Sequence, residues 1–109
     1  MQDNFIYDQY TESRGEPSML KILCSSCNEF LCDYQKDGPG PLLRCYCDRI
    51  HSPNDLKKAI QNSTPQLLCC RQCGQTIGEK GIYEKEQRLA FFLKEGSFVI
   101  AQEDPGTNH

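Results

Sequence analysis

Two short cysteine pairs constrain this chain more than any other feature: Cys24-Ser25-Ser26-Cys27 and Cys70-Arg71-Gln72-Cys73. A two-residue spacer lets both sulfurs of a pair face one point while N–H groups of the turn bond to them. Two such turns are the usual protein route to four thiolates around a tetrahedral Zn²⁺ ion. After each pair the chain has to turn sharply, commonly through a left-handed residue. Those positions hold Asn28 and Gly74, the residue types that tolerate it best. The spacing therefore predicts one structural zinc ion on Cys24, Cys27, Cys70 and Cys73. Cys69 precedes Cys70, so a Cys69-x₃-Cys73 pair is the formal alternative. Cys70 gives the better spacing, and strand alternation would then turn Cys69 toward the core.

The rival readings of the pairs are a disulfide framework and a redox dithiol. Met1-Gln2-Asp3-Asn4 has neither the charged n-region nor the apolar h-region of a secretory signal, which favours a cytosolic, reducing compartment and metal-bound thiols. A redox C-x₂-C belongs at a helix N-terminus after a strand, and neither pair has a helical pattern behind it. No run of 18 apolar residues is present to span a membrane.

Length and charge narrow the rest. A chain of 109 residues is long enough for one domain, and a domain of that size with only 38% apolar residues gains from a metal staple. The formal charge is −3, and four thiolates with one Zn²⁺ would take it to −5. A generic polyanion binder needs a dense positive surface, so nucleic acid is an unpromising partner.

Along the chain, residues 1–18 are polar and acidic and end in Gly15-Glu16-Pro17-Ser18, the composition of a disordered tail; Phe5, Tyr7 and Tyr10 would also suit a partner-binding peptide or a strand that docks late. Met19 opens the first convincing strand directly, so it is a second candidate start. Residues 19–101 then read as strand, knuckle, hairpin, helix, strand, knuckle, hairpin, a mostly β, small α+β domain with one short helix. Residues 102–109 read as a second disordered tail. Leu20 to Cys24 is a strand. Glu29 to Gln35 and Leu42 to Cys47 alternate in polarity around a Gly-Pro loop. A symmetric hairpin would set Cys32 opposite Cys45 and Asp33 opposite Arg44, leaving Tyr46, Leu31 and Arg44 outward as a contact patch. Ser52-Pro53-Asn54-Asp55 is a helix start with Ser52 as cap, and Leu56, Ala59 and Ile60 give the helix one apolar stripe. Leu89–Leu93 and Ser97–Ala101 are expected to form a hairpin turning at Gly96, with residues 84–88 as a loop or strand start. No internal repeat beyond the two knuckles is visible.

Cys32, Cys45 and Cys47 remain. They read best as small buried core residues. A second metal set of Cys32, Cys45, Cys47 and His51 has suitable chemistry, but Cys45 and Cys47 on one face of a strand stand about 6.5 Å apart, too far without a bulge. A third reading makes Cys32 and Cys45 a redox pair.

Cys70-x₂-Cys73-x₃-Ile77-Gly78-x-Lys80, followed by Lys94-Glu95-Gly96-x-Phe98-x-Ile100, resembles the C-terminal half of Yippee-like proteins. The detailed match spans roughly residues 69–101; in the first half only Cys24-x₂-Cys27 matches, and the 42 residues between the pairs are fewer than in Yippee-like proteins. The resemblance implies a β-tent fold, in which two C-x₂-C knuckles staple two antiparallel sheets around one zinc. The ligand-binding domain of cereblon and the RNA-sensing domain of antiviral helicases share that arrangement. This chain departs from each of the better-known members: it has no tryptophan for a ligand cage, it is acidic where the RNA-sensing domains present a lysine-rich face, and it has no cysteine after Cys73 to match the reactive one of methionine sulfoxide reductases.

The functional expectation is a non-catalytic zinc-binding β-domain that serves as a protein-interaction or adaptor module. Two histidines assemble no convincing catalytic set, and a four-thiolate zinc has no open position for water. The alternatives are a nucleic-acid-binding zinc ribbon, with Arg44, Arg49, Lys57 and Lys58 as its basic face, and a thiol- or zinc-dependent enzyme.

Overall fold

The computed structural model describes residues 5–102. Its elements are α1 (Gln9–Arg14), β1 (Pro17–Cys24), β2 (Phe30–Asp37), β3 (Arg44–Tyr46), a 3₁₀ turn (Cys47–Arg49), β4 (Ile50–Ser52), α2 (Asn54–Ser63), β5 (Leu67–Cys69), β6 (Thr76–Tyr83), β7 (Arg88–Leu93) and β8 (Phe98–Gln102). The strands form two four-stranded antiparallel sheets, in the orders β4-β2-β1-β8 and β3-β7-β6-β5. Ile22, Cys32, Tyr34 and Ile50 from the first sheet meet Cys45, Leu68, Ile77 and Phe91 from the second in one core. This is the mostly β architecture expected from the alternating segments.

The two halves repeat one another more deeply than the knuckles alone reveal. Adding 46 to residue numbers carries Cys24 to Cys70 and β2 to β6, strand end for strand end. The same offset carries the register Leu23↔Phe30, Ile22↔Cys32 onto Cys69↔Thr76, Leu68↔Gly78. Both pairings contain one extra residue at the same place, Leu31 in one half and Ile77 in the other. The equivalent pairs Ile22/Leu68 and Leu31/Ile77 are all buried, whereas Cys32 answers to Gly78 and Tyr34 to Lys80. The expectation of no further repeat is thus corrected. Backbone geometry is shared where side-chain identity is not.

Several local expectations also change. Residues 5–16 are not a free tail: Asp8 caps α1 by accepting from the N–H of Tyr10 and Thr11, and the Gln35 side chain pairs with both backbone groups of Ile6 at 2.8 Å. A polar segment gives no apolar pattern to read, but buried polar partners hold it. Pro17 and Ser18 belong to β1, and Met19 lies inside that strand, opposite Gln35. The expected C-terminal tail falls, after Gln102, outside the described residues.

The hairpin between residues 29 and 47 does not form. The loop through Gly38 and Pro41 crosses to the other sheet, where β3 pairs with β7, Cys45 beside Phe91. Cys32 and Cys45 are therefore core neighbours from opposite sheets, not partners in a ladder, and Leu31 and Tyr46 are buried instead of forming an outward patch. Gly38 enables the crossing: its φ is +81°, and a Cβ there would collide with the Arg14 carbonyl.

Gly96 has the expected left-handed φ of +83°, but its turn joins β7 of one sheet to β8 of the other; β8 pairs with β1. The true hairpin is β6–β7, through residues 84–87, with Gln87 at φ +54°. On α2, Leu56 and Ile60 pack on the core while Ala59 is exposed. Ser52 does not cap it: the hydroxyl donates to Asp33 at 2.6 Å, and Pro53 occupies the cap position without a side-chain bond.

Candidate metal centre

The 46-residue offset delivers two copies of one turn. In the first, the Cys24 N–H donates to the Glu29 carbonyl at 2.9 Å and the Asn28 N–H to the Cys24 carbonyl at 2.8 Å. In the second, Cys70 donates to Gln75 and Gly74 to Cys70, both at 2.8 Å. Asn28 and Gly74 take the expected left-handed conformation, at φ +66° and +82°. β1 ends at Cys24 and β5 at Cys69, immediately before Cys70, so one strand of each sheet delivers its turn to the shared site.

The four thiols of Cys24, Cys27, Cys70 and Cys73 all lie within 4.8 Å of one another. Across the two turns, Cys24 is 3.7 Å from Cys73 and Cys27 is 3.6 Å from Cys70. Four ligands at about 2.3 Å from a tetrahedral zinc would stand about 3.8 Å apart. The donor set and its spacing fit such an ion, and four protein ligands fill its coordination shell. Against the Glu29 N–H, which favours its thiolate, burial and the neighbouring sulfurs push Cys27 up to about 12. The N–H of Cys73, aided by that of Gln72, outweighs burial and brings Cys70 down to about 7. Sulfurs this close cannot all ionise without a cation among them.

One residue that the sequence did not mark ties the turns together. The Gln75 amide donates to Cys24 Sγ at 3.7 Å, to Ser25 Oγ at 3.2 Å and to the Ser97 carbonyl at 2.9 Å, and its oxygen accepts from Ser26 Oγ at 2.6 Å. Ser25 closes the arrangement by donating its N–H to Ser97 and its hydroxyl to Gly96. Such bonds fix the orientation of the metal-facing groups. A glutamine beside a knuckle carries no distinctive sequence signal.

The other cysteines do not join this site. Cys69 is exposed, not turned into the core as expected: Leu68 and Cys70 take the buried side of the alternation, which leaves Cys69 on the outer face. Among the described residues, no second group of three or more potential metal ligands comes together. The set Cys32, Cys45, Cys47 and His51 does not come together as ligands, and His51 bonds instead to Gln35 at 3.0 Å. Burial pushes Cys32 up to about 12, Cys45 well above the ordinary thiol value and Cys47 up to about 11.

Alkylation of the metal-loaded protein should therefore modify Cys69 first and leave Cys32 and Cys45 untouched until the chain unfolds. Peptide mass mapping over time checks this order; early labelling of Cys32 or Cys45 would contradict the core assignment.

Among the described residues, no helix is long and apolar enough to cross a membrane. No protein-family model matches this chain, and no solved structure matches it significantly.

Proposed function

We propose that this chain is a non-catalytic binding module, held together by one structural zinc ion on Cys24, Cys27, Cys70 and Cys73 and acting on a protein partner in a reducing compartment. The observation that carries the reading is the mutual closeness of the four thiols, all within 4.8 Å. A zinc held by four thiolates has no open position for a water or a substrate, so it braces and does not catalyse. The two knuckles at a constant offset, each leading into one of two antiparallel sheets, support a β-tent architecture of the Yippee-like kind.

The basic face that a nucleic-acid ribbon would need is weakened. Arg49 is 1% exposed, locked by carboxylates inside the fold, so only Arg44, Lys57 and Lys58 of that group remain at the surface. Titration of the zinc form with single- and double-stranded oligonucleotides at about 50 mM salt should show nothing tighter than the non-specific range of roughly 10⁻⁴ to 10⁻⁶ M. A tight complex that dissolves steeply with salt would replace the protein-binding reading with the nucleic-acid one.

A further inference from the structure

On the side of the fold where α1 meets the two sheets, and sharing no residue with the four-cysteine site, lies a cavity of about 70 Å³. Five cationic side chains line it, Arg14, Lys36, Arg44, Arg49 and Arg88, against one carboxylate, Asp37. Asp37 is already taken by Arg49, at 2.9 Å. Arg14 and Arg88 are held by Glu86, and Arg88 also by Asp48, but neither of these acids lines the cavity. Among the described residues, Arg44 and Lys36 have no carboxylate partner: the Arg44 guanidinium sits over the Tyr83 ring, 3.8 Å from its centroid, and Lys36 donates only to the Gly38 carbonyl.

Tyr46 stands at the centre of this group. Its hydroxyl oxygen accepts from Arg14 Nη2 and from Arg44 Nε, each at 2.9 Å. Both of its lone pairs are then used, and the hydroxyl can act further only by donating its proton. No acceptor for that proton is present among the described residues. Two more donors are also unmet: the buried Nε–H groups of Arg14 and Arg88 have no hydrogen-bond partner. Arg88, 4% exposed in its side chain, is clamped between the Tyr10 and Tyr46 rings at 3.9 and 3.8 Å and cannot swing out to water. A buried donor left unmatched costs about 1–3 kcal/mol. With its one carboxylate, Asp37, already bonded to Arg49, a cavity that presents unmet donors and two unpaired positive charges is complementary to an oxyanion.

We propose that this cavity binds a phosphate-type dianion, free or as a monoester. Arg44 and Lys36 supply the two unpaired positive charges; Tyr46 and the Arg14 guanidinium supply directed donors. A phosphate monoester carries about −1.5 to −2 charge at neutral pH and three acceptor oxygens, which matches both counts better than a single carboxylate does. The aromatic rings hold the guanidinium planes in place before a ligand arrives. This site is independent of the proposed protein partner and requires only the folded, metal-loaded domain.

The test is a titration of the zinc-loaded protein with inorganic phosphate, sulfate and acetate in separate arms, followed through the arginine Nε–H signals in ¹⁵N NMR. Phosphate and sulfate should shift the Arg14, Arg44 and Arg88 signals saturably while Arg71, paired with Asp55 outside the cavity, stays still. Arg44→Gln and Lys36→Gln should each weaken phosphate by about tenfold; Lys36→Gln leaves every ring–guanidinium contact intact, so it stands if Arg44→Gln disturbs the fold. Unsaturated shifts shared equally by Arg71, or unchanged affinity in Lys36→Gln, would overturn the site. Acetate binding as tightly as phosphate would overturn the dianion assignment.

Discussion

Stripping the metal with a strong chelator should unfold the whole domain. Structural zinc in small domains contributes an apparent 10–16 kcal/mol or so at neutral pH, while an ordinary domain holds only about 5–15 kcal/mol in total. The site joins the ends of β1 and β5, one from each sheet, across 46 residues of chain. Besides the metal, the sheets are tied by a core that includes the small side chains of Cys32 and Cys45, by the Gln75 bridge, and by the bond from the Tyr46 N–H to the Tyr34 hydroxyl at 2.9 Å. Without the ion, four crowded sulfurs would face one another with nothing between them. Cys24→Ser and Cys73→Ser should collapse the circular-dichroism signal and the thermal transition in the same way. Cys69→Ser touches only an exposed position and should stay within about 0.5 kcal/mol of the parent. A chelator-treated protein that keeps its cooperative transition would show that the core suffices.

Arg49→Met should be the most damaging substitution away from the cysteines. Arg49 is 1% exposed and donates to Asp37 at 2.9 Å, to Asp8 at 2.6 and 3.2 Å and to Thr11 at 3.2 Å. Its guanidinium joins the end of β2 to the cap of α1. Asp37 is nearly as buried, at 3% for its side chain, so removing the arginine strands a carboxylate inside the protein. Breaking a buried pair from one side costs about 3–5 kcal/mol, and each kcal/mol lowers the Tm of a domain this size by roughly 4–8 °C. The pair itself is not proof of net stabilisation; the penalty comes from the orphaned charge. The hydrogen bond from Arg49 holds the Asp8 carboxyl below its ordinary value of 3.8. That contribution is therefore complete above about pH 4 and is lost as pH falls through the lower folded value. Acid should loosen the α1 cap in the parent, and Arg49→Met should weaken this acid dependence, leaving the part that the Tyr10 and Thr11 N–H groups supply. Thermal melts of both proteins from pH 3 to 7 measure it, and a loss below about 1 kcal/mol would mean that Arg49 is effectively solvated.

What the chain revealed in advance divides along a physical line. The knuckles were legible because a metal demands particular atoms at particular spacings, and Asn28 and Gly74 mark the turns. The alternation around residues 29–35 and 42–47 located two strands, β2 and β3, but β3 spans only Arg44–Tyr46, with Cys47 in the 3₁₀ turn and Leu43 exposed. It could not say which strand pairs with which, since Cys45 suits a neighbour in Phe91 as well as one in Cys32. Pairing is decided by distant partners, and the nearest partner in sequence lost twice, at β3 and at β8. The N-terminal segment was misread for the opposite reason. Its attachment rests on Gln35, Arg49 and Asp8, and a buried polar network looks in sequence like a solvated surface. The cavity around Tyr46 was hidden in the same way: Arg14, Arg44 and Arg88 are far apart in the chain and converge only once the sheets have formed.

X-ray absorption at the zinc edge, on protein purified without added metal and paired with metal analysis, tests the central claim most directly. One zinc per chain with four sulfur neighbours at about 2.3 Å, and no oxygen or nitrogen in the shell, is the predicted result. Less than half an equivalent of zinc in a folded protein, or a shell containing an exchangeable oxygen, would contradict it.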